Sequence, residues 1–257
     1  MTDTSPLQPI VLHGSTISYF TGKMENYFRV RDIPYELHSM QFPGDRKKLE
    51  KALGLMQMPA LQLADGRWMT DTTKIIQWFE ASYPQNGLVP DDPVQRFVCL
   101  LLEDWADEWW WRPAMHYRWH YPEGAHFASR HLAAELMPQV PVPGAIKRLM
   151  LRTRQRAGYT TGDGITAESV AGVETMFLRL LGQLQAIFSD RPFVCFWRPP
   201  LTRGYRPVRA LFSAFRPGSG ASGDHPATGT RGTGVGGAAV EYPHGSMHRR
   251  MAAGHPR

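Results

Sequence analysis

The stretch 54–80, GLMQMPALQLADGRWMTDTTKIIQWFE, constrains the fold more than any other part of the chain. Two short apolar runs, Ala60 to Leu63 and Arg67 to Met69, flank Asp65-Gly66, and an Asp-Gly turn between such runs is a strong hairpin signal. Pro59 stands at the start of the first run. Asp71 and Thr72 then open a helix whose apolar positions Ile75, Ile76, Trp78 and Phe79 face a core. A proline leading into a strand, followed by an acidic–hydroxyl pair at a helix start, can grip a peptide-like ligand.

The residues before this stretch supply the rest of a small domain. Pro9 to His13 reads as a first strand ending at Gly14, and a helix runs from Tyr19 to about Arg31. Met24, Tyr27, Phe28 and Arg31 fall at helical spacing, with Lys23, Glu25 and Arg29 expected to turn outward. Ile33 to His38 reads as a second strand, and Asp45 to Lys51 as a short exposed helix. The order β-α-β-α-β-β-α over residues 9–83, with a proline leading into the third strand, is the plan of an α/β thioredoxin-like domain with a mixed sheet. Residues 1–8 are expected to be disordered.

Residues 84–92 are a turn-rich linker, and the pattern beyond them is all-α. One helix is expected from Pro93 to Trp111, bent or ended by Pro113. Others are expected at Glu123 to Met137, at Ala145 to Arg156, and from Ala167, capped by Thr166, to about Phe188. The last carries an apolar stripe of Val170, Val173, Phe177, Leu180, Leu181, Leu184 and Phe188. This helical domain spans 93–194.

The net charge of +6 invites a nucleic-acid reading, but its location argues against one. Nine Arg and two acidic residues follow Phe196, so the remainder is close to neutral. A basic face interleaved with aromatics, as nucleic-acid binders carry, is not evident. No apolar run approaches membrane-spanning length, and the opening MTDTSPLQP lacks the basic and apolar regions of a secretory signal. The two cysteines, Cys99 and Cys195, have neither metal nor disulfide spacing and suit a reducing cytoplasm. Neither nucleic acid, membrane nor metal is expected as a partner.

Four features together resemble the glutathione S-transferase superfamily over about residues 9–194. They are Met58-Pro59 before a strand, the Asp71-Thr72 helix start, Ser18-Tyr19-Phe20 with Lys23 at the first helix, and the helical second half. The resemblance implies a cytoplasmic transferase, commonly homodimeric, that uses glutathione as co-substrate and adds its thiolate to a small electrophile. It implies that Pro59 is cis, that Met58 and Pro59 hold the cysteinyl part of glutathione, and that Asp71 and Thr72 hold its γ-glutamyl end. The family's usual serine is threonine here. It also implies that the first helices of the second domain wall an electrophile pocket, for which Trp109, His116 and Tyr117 are the candidates. No cysteine precedes Cys99, which argues against thioredoxin-type redox chemistry and against the cysteine-type classes.

The chemistry is coherent with those roles. A cis proline exposes the preceding N–H and C=O to an extended peptide. An Asp at a helix start can meet an ammonium, while N-terminal amides and a hydroxyl meet a carboxylate. Glutathione becomes reactive when its thiol pKa falls from about 8.5, which a hydroxyl donor near a positive helix N-terminus achieves. Ser18 is the favoured donor and Tyr19 its rival.

Simpler readings stand beside these. Asp71-Thr72 and Ser18 can be ordinary caps. Several of the clustered tryptophans must be packing. Asp104, Asp107 and Glu108 lack His partners and read as solvated or hydrogen-bonded; His120, His126 and His131 read as surface residues, and the basic run from Lys147 to Arg156 as a solvated face. Without catalysis, the chain would be a glutathione-transferase-like binding module.

After Val194 the sequence turns rich in Arg, Gly, Pro and Ala, the composition of a disordered tail. Regrouping its possible codons by one base permits Ser-Leu-Ala-Asp, a capping box that in the superfamily opens the buried helix of the helical domain. A frameshift between about Pro192 and Trp197, making 195–257 an out-of-frame tail and weakening fold and activity, is therefore expected; resequencing those codons tests it.

Overall fold

The computed structural model describes residues 4–190, so the frameshift expected between about Pro192 and Trp197 and the tail expected at 195–257 lie outside the described residues. Of the eight N-terminal residues expected to be disordered, 4–8 are instead part of the fold. Ser5–Leu7 form a 3-10 turn, and Leu7 inserts into the first domain's core beside Ile10 and Leu63.

Strand β1 (Val11–Gly14) is followed by helix α1 (Tyr19–Val30), strand β2 (Glu36–Ser39) and helix α2 (Gly44–Leu53). Strands β3 (Ala60–Gln62) and β4 (Trp68–Thr70) lead into helix α3 (Thr72–Ser82). The sheet order is β2-β1-β3-β4, with β1 parallel to β2 and antiparallel to β3, and β3 antiparallel to β4. That is the mixed sheet the element order predicts. The hairpin register pairs Ala60 with Thr70 and Gln62 with Trp68. Leu63 N–H donates to Arg67 O at 3.0 Å, so the loop holds Ala64, Asp65 and Gly66, and Gly66 supplies the positive φ of +86° that ends it.

Leu12, Met24, Phe28, Leu61, Ile75 and Phe79 are fully buried and form the core between sheet, α1 and α3. Gly14 is required where β1 meets α1: a Cβ there would stand 2.4 Å from Thr21 Oγ1. Arg31, buried at the end of α1, pairs with Glu80 and donates to the carbonyls of Tyr83 and Gln85. The other oxygen of Glu80 accepts from Leu88 and Val89 N–H, so one ion pair fastens the linker to the first domain.

His13 on β1 is buried under Trp68 and His38, and its Nε2 lies 3.1 Å from Gln62 Oε1. Burial pushes its pKa down to about 4, against the opposing pull of the Gln62 hydrogen bond. The unfolded imidazole takes a proton near pH 6.5. Between about 4 and 6.5 the unfolded state therefore binds more protons, and the contribution of His13 is complete above 6.5 and lost as pH falls toward 4. Urea unfolding at pH 7 and pH 4.5 is expected to show a loss about 2–3 kcal/mol larger in the wild type than in His13→Phe. Equal losses would mean that His13 is not the group responsible.

The second domain begins with α4 (Pro93–Trp105), capped by Asp92, whose carboxylate accepts from Gln95 N–H at 2.9 Å. A π turn, Ala106–Trp110, joins it to α5 (Trp111–Trp119). The helical path does not end at Pro113 but runs on to Trp119. Pro113 cannot bond the carbonyl of Trp109, and the wider π turn immediately before it relieves the crowding there. Helix α6 (Pro122–Leu136), helix α7 (Gly144–Tyr159) and helix α8 (Val170–Asp190) follow. α8 starts three residues later than expected because Thr166 to Ser169 form a turn in which Ser169 Oγ, not a Thr166 cap, accepts the Thr166 N–H at 2.9 Å.

Trp111, Met115, Trp119, Leu132 and Tyr159 pack with Tyr19, Phe20 and Met58 in one core shared by both domains. Among the described residues no helix is long and apolar enough to cross a membrane.

Candidate functional site

Four of the sequence-predicted residues come together. Met58, Pro59, Asp71 and Thr72 line one groove of about 360 Å³, with Phe20, Gln57, Thr73 and Gln77 on the same side. The opposite wall is α4 and the π turn, which present Leu100, Glu103, Asp104, Asp107 and Glu108. The Met58–Pro59 peptide is cis.

Asp71 caps α3, its carboxylate accepting from Lys74 N–H at 3.4 Å, and it holds φ +74° and ψ 105°, a left-handed conformation that costs a non-glycine residue about 1–3 kcal/mol. Such outliers concentrate at ligand clamps. Thr72 is the first residue of α3 and is buried, and the first-turn amides of a helix have no intrahelical partner. An ammonium beside Asp71 and a carboxylate at those amides is the pairing this arrangement can make. The groove lining contains no Lys or Arg, so an anionic ligand end must rely on the helix N-terminus.

Lys23 corrects the sequence reading. Expected to point outward, it is 5% exposed, and its ammonium lies 2.5 Å from both Glu103 Oε1 and Asp107 Oδ2 across the domain boundary. Thr73 Oγ1 donates to Glu103 Oε1 at 2.9 Å, completing the cluster. Burial alone would lower the Lys23 pKa, but the two carboxylates override it and hold the ammonium charged. Two carboxylates then share one cation. Burial, reinforced by the Glu103 charge and only partly offset by Lys23, pushes Asp107 up to about 6. No sequence pattern singled out Thr73, Glu103 or Asp107 as groove wall, or Lys23 as their partner, because the paired residues are 30–84 positions apart.

The loop carrying Ser18 is tied to α6 through Glu135, which accepts from Ser15 Oγ (2.6 Å), Thr16 N–H (2.8 Å) and Ser39 Oγ (3.0 Å). His131, expected at the surface, lies 2.7 Å from Thr16 Oγ1 in the same cluster. Ser18 is the N-cap of α1: its Oγ accepts from Thr21 N–H at 3.2 Å, and it is buried. The Tyr19 hydroxyl donates to Ala106 O at 3.3 Å inside the shared core, where burial pushes the phenol far above its ordinary range. Neither hydroxyl lines the groove.

The three residues expected to wall an electrophile pocket are not in the lining of this groove. Trp109 is 56% exposed, with Arg112 over its ring. His116 is fully buried, its Nε2 2.7 Å from Glu174 on α8, and Tyr117 packs on Phe177. Among the described residues no group of His, Cys, Asp and Glu could hold a metal ion.

A thioredoxin-like domain with a ligand groove facing an all-helical domain is the class that fold and site define. Residues 12–87 match the family model described as glutathione S-transferase, N-terminal domain. Among curated protein sequences none matches this chain. Solved structures with a similar fold include a beta-etherase from Sphingobium sp. strain SYK-6, 20% identical, covering 82% of this chain and 86% of that one at a TM-score of 0.48. A glutathione S-transferase from Pseudomonas fluorescens is 12% identical, with coverages of 80% and 81% and a TM-score of 0.45. A Tau class glutathione S-transferase from mango is 16% identical, with coverages of 80% and 74% and a TM-score of 0.42.

Proposed function

We propose that the protein binds glutathione in the Met58–Asp71 groove and conjugates its thiolate to an electrophilic small molecule. The observation that carries this reading is the convergence of Met58, Pro59, Asp71 and Thr72 on one groove beneath the helical domain. The ammonium of the γ-glutamyl group meets Asp71, its carboxylate meets Thr72 and the α3 amides, and the cysteinyl backbone runs beside Met58. In the reaction the thiolate electron pair forms a C–S bond. Either a leaving group departs with its pair, or the displaced pair goes to the neighbouring atom, which takes a proton. Ser18, at the positive end of α1, is the donor that stabilises the thiolate.

A cytoplasmic homodimer belongs to the same reading. Val94, Phe97 and Leu101 expose a continuous apolar edge of α4, 70%, 65% and 53% accessible, which suits self-association. Calorimetric titration with glutathione tests the core of the proposal. Binding is expected in the wild type and is expected to weaken about tenfold or more in Asp71→Ala, the loss of one charge-assisted contact. A wild type that does not bind glutathione overturns it. The second reading, a binding module without turnover, draws support from the absence of both hydroxyls from the groove lining; it predicts the same binding with no conjugation of any electrophile.

A further inference from the structure

Glutathione carries two carboxylates, and the groove offers a place for one. The γ-glutamyl carboxylate takes the first-turn amides of α3, and no Lys or Arg lines the groove to receive another anion. The glycyl carboxylate, at the opposite end of the tripeptide, is left without a positive partner. Met58 also borders a separate hollow, but Arg46 there is already paired with Glu50 at 2.8 Å.

The groove is instead strongly negative. Asp71, Glu103, Asp104, Asp107 and Glu108 all line it. The buried Lys23 ammonium serves Glu103 and Asp107 together and cancels one charge of that pair. Lys74 lies 3.8 Å from Asp71 but is 74% exposed, where an ion pair contributes little. Among the described residues Asp104 and Glu108 have no ion-pair partner.

Contacts between α3 and α4 show which way this acidic wall runs. Gln77 and Leu100 share a small apolar hollow, and Thr73 Oγ1 lies 2.9 Å from Glu103 and 3.5 Å from Asp107. Numbers on α4 therefore rise toward the start of α3, where Thr70 Oγ1 donates to Pro59 O at 3.3 Å and ties Asp71's strand to the Met58–Pro59 peptide. Glu108, last in the run, stands at that end. A thiolate bound beside Met58 adds one more negative charge, so a ligand that brings a cation is favoured over one that brings a second carboxylate.

We propose that the thiol this groove prefers is glutathione amidated at its glycyl carboxyl by a small diamine, whose free ammonium lies against Asp104 and Glu108. The proposal rests on the reading of the groove as a glutathione site. It keeps the γ-glutamyl and cysteinyl contacts and changes only the glycyl end, where amidation removes the unmatched carboxylate and supplies the missing cation.

The test is calorimetric titration of full-length protein with three thiols that differ only at the glycyl carboxyl: glutathione, its simple amide, and its amide with 1,4-diaminobutane. At low salt the simple amide is expected to bind about threefold tighter than glutathione, and the diaminobutane amide about tenfold tighter. In about 0.5 M NaCl the whole span is expected to narrow to about threefold. Asp104→Asn with Glu108→Gln is expected to tighten glutathione about threefold and to weaken the diaminobutane amide about threefold. Both replacements are isosteric, and an unchanged thermal melt verifies the fold. The single Asp104→Asn, at an exposed position, is expected to give the same opposite shifts at smaller size. A purely structural role for the wall moves both ligands in one direction, and that result overturns the proposal. So does glutathione binding as tight as that of the diaminobutane amide, or a loss of glutathione affinity in Arg46→Gln, which would give the glycyl carboxylate its cation. Binding of 1,4-diaminobutane alone as tightly as its conjugate overturns it as well. Those results leave the glutathione reading in place, whereas failure of all three thiols to bind removes it.

Discussion

A Lys23→Met variant is expected to lose about 3–5 kcal/mol of folding stability, measured by urea unfolding at pH 7.5. The substitution keeps the length of the side chain and removes the one cation that, among the described residues, pairs with Glu103 and Asp107, at 2.5 Å from each. Two carboxylates then face each other in a site from which water is largely excluded. Taking out one partner of a buried pair costs far more than the pair contributed, because the desolvation of the remaining charges is no longer offset. The loss is expected to shrink as pH falls, because Asp107, no longer held down by the Lys23 charge and hydrogen bond, takes up a proton at a higher pH than in the wild type and one of the two stranded charges disappears. Adding Glu103→Gln and Asp107→Asn to Lys23→Met is expected to recover most of the stability. A loss below about 1 kcal/mol in the single variant, the range of exposed ion pairs, would show that the ammonium is solvated after all.

That cluster also marks where sequence reasoning stops. Helical periodicity places Met24, Tyr27 and Phe28 on the buried side of α1, and all three are buried. The same periodicity counts a lysine as solvated, since it knows only the helix that carries it. The partners of Lys23 are 80 and 84 residues further on, on a helix whose packing is not written in α1. The hairpin was legible because its cause is local: Asp65-Gly66 sets the turn, and the alternation around it sets the register. The Met58–Pro59 and Asp71–Thr72 pairs were legible for a related reason, each being a short signal at the end of a single element. Walls assembled from several elements were not. The π turn Ala106–Trp110 changes which side chains face inward after it, and α7, read as a solvated basic face, supplies Leu151, Gln155 and Tyr159 to the interior. Five of its sixteen residues are basic, and they masked three inward positions that recur every four residues.

Ser18→Ala is expected to lower kcat/KM for conjugation about 10²-fold or more, while Tyr19→Phe changes it by less than about threefold. The two hydroxyls are adjacent in sequence and differ in what the fold has done with them. Tyr19 donates to the Ala106 carbonyl in a core shared by both domains, and a buried phenol with that bond has no route to a ligand sulfur without breaking the packing around it. Its replacement by Phe costs about 1 kcal/mol of stability and little else. Ser18 accepts the Thr21 N–H through its oxygen lone pair, the geometry of an N-cap at the positive end of the helix dipole. Capping and thiolate stabilisation therefore need to be separated. Ser18→Asn preserves a good cap and removes the hydroxyl. It is expected to keep wild-type stability within about 1 kcal/mol and to stay as inactive as Ser18→Ala. The acid limb of kcat/KM against pH gives an independent reading. A thiol no longer assisted titrates near its free value of about 8.5, so the limb is expected to move upward in both Ser18 variants and to stay in place in Tyr19→Phe. Activity restored by Ser18→Asn would make Ser18 a cap alone, and a collapse in Tyr19→Phe would transfer the role to the phenol. Activity unchanged by all three substitutions, with glutathione still turned over, would place the donor on the acidic wall opposite, where Asp107, pushed up to about 6, is the residue able to hold a proton near neutral pH.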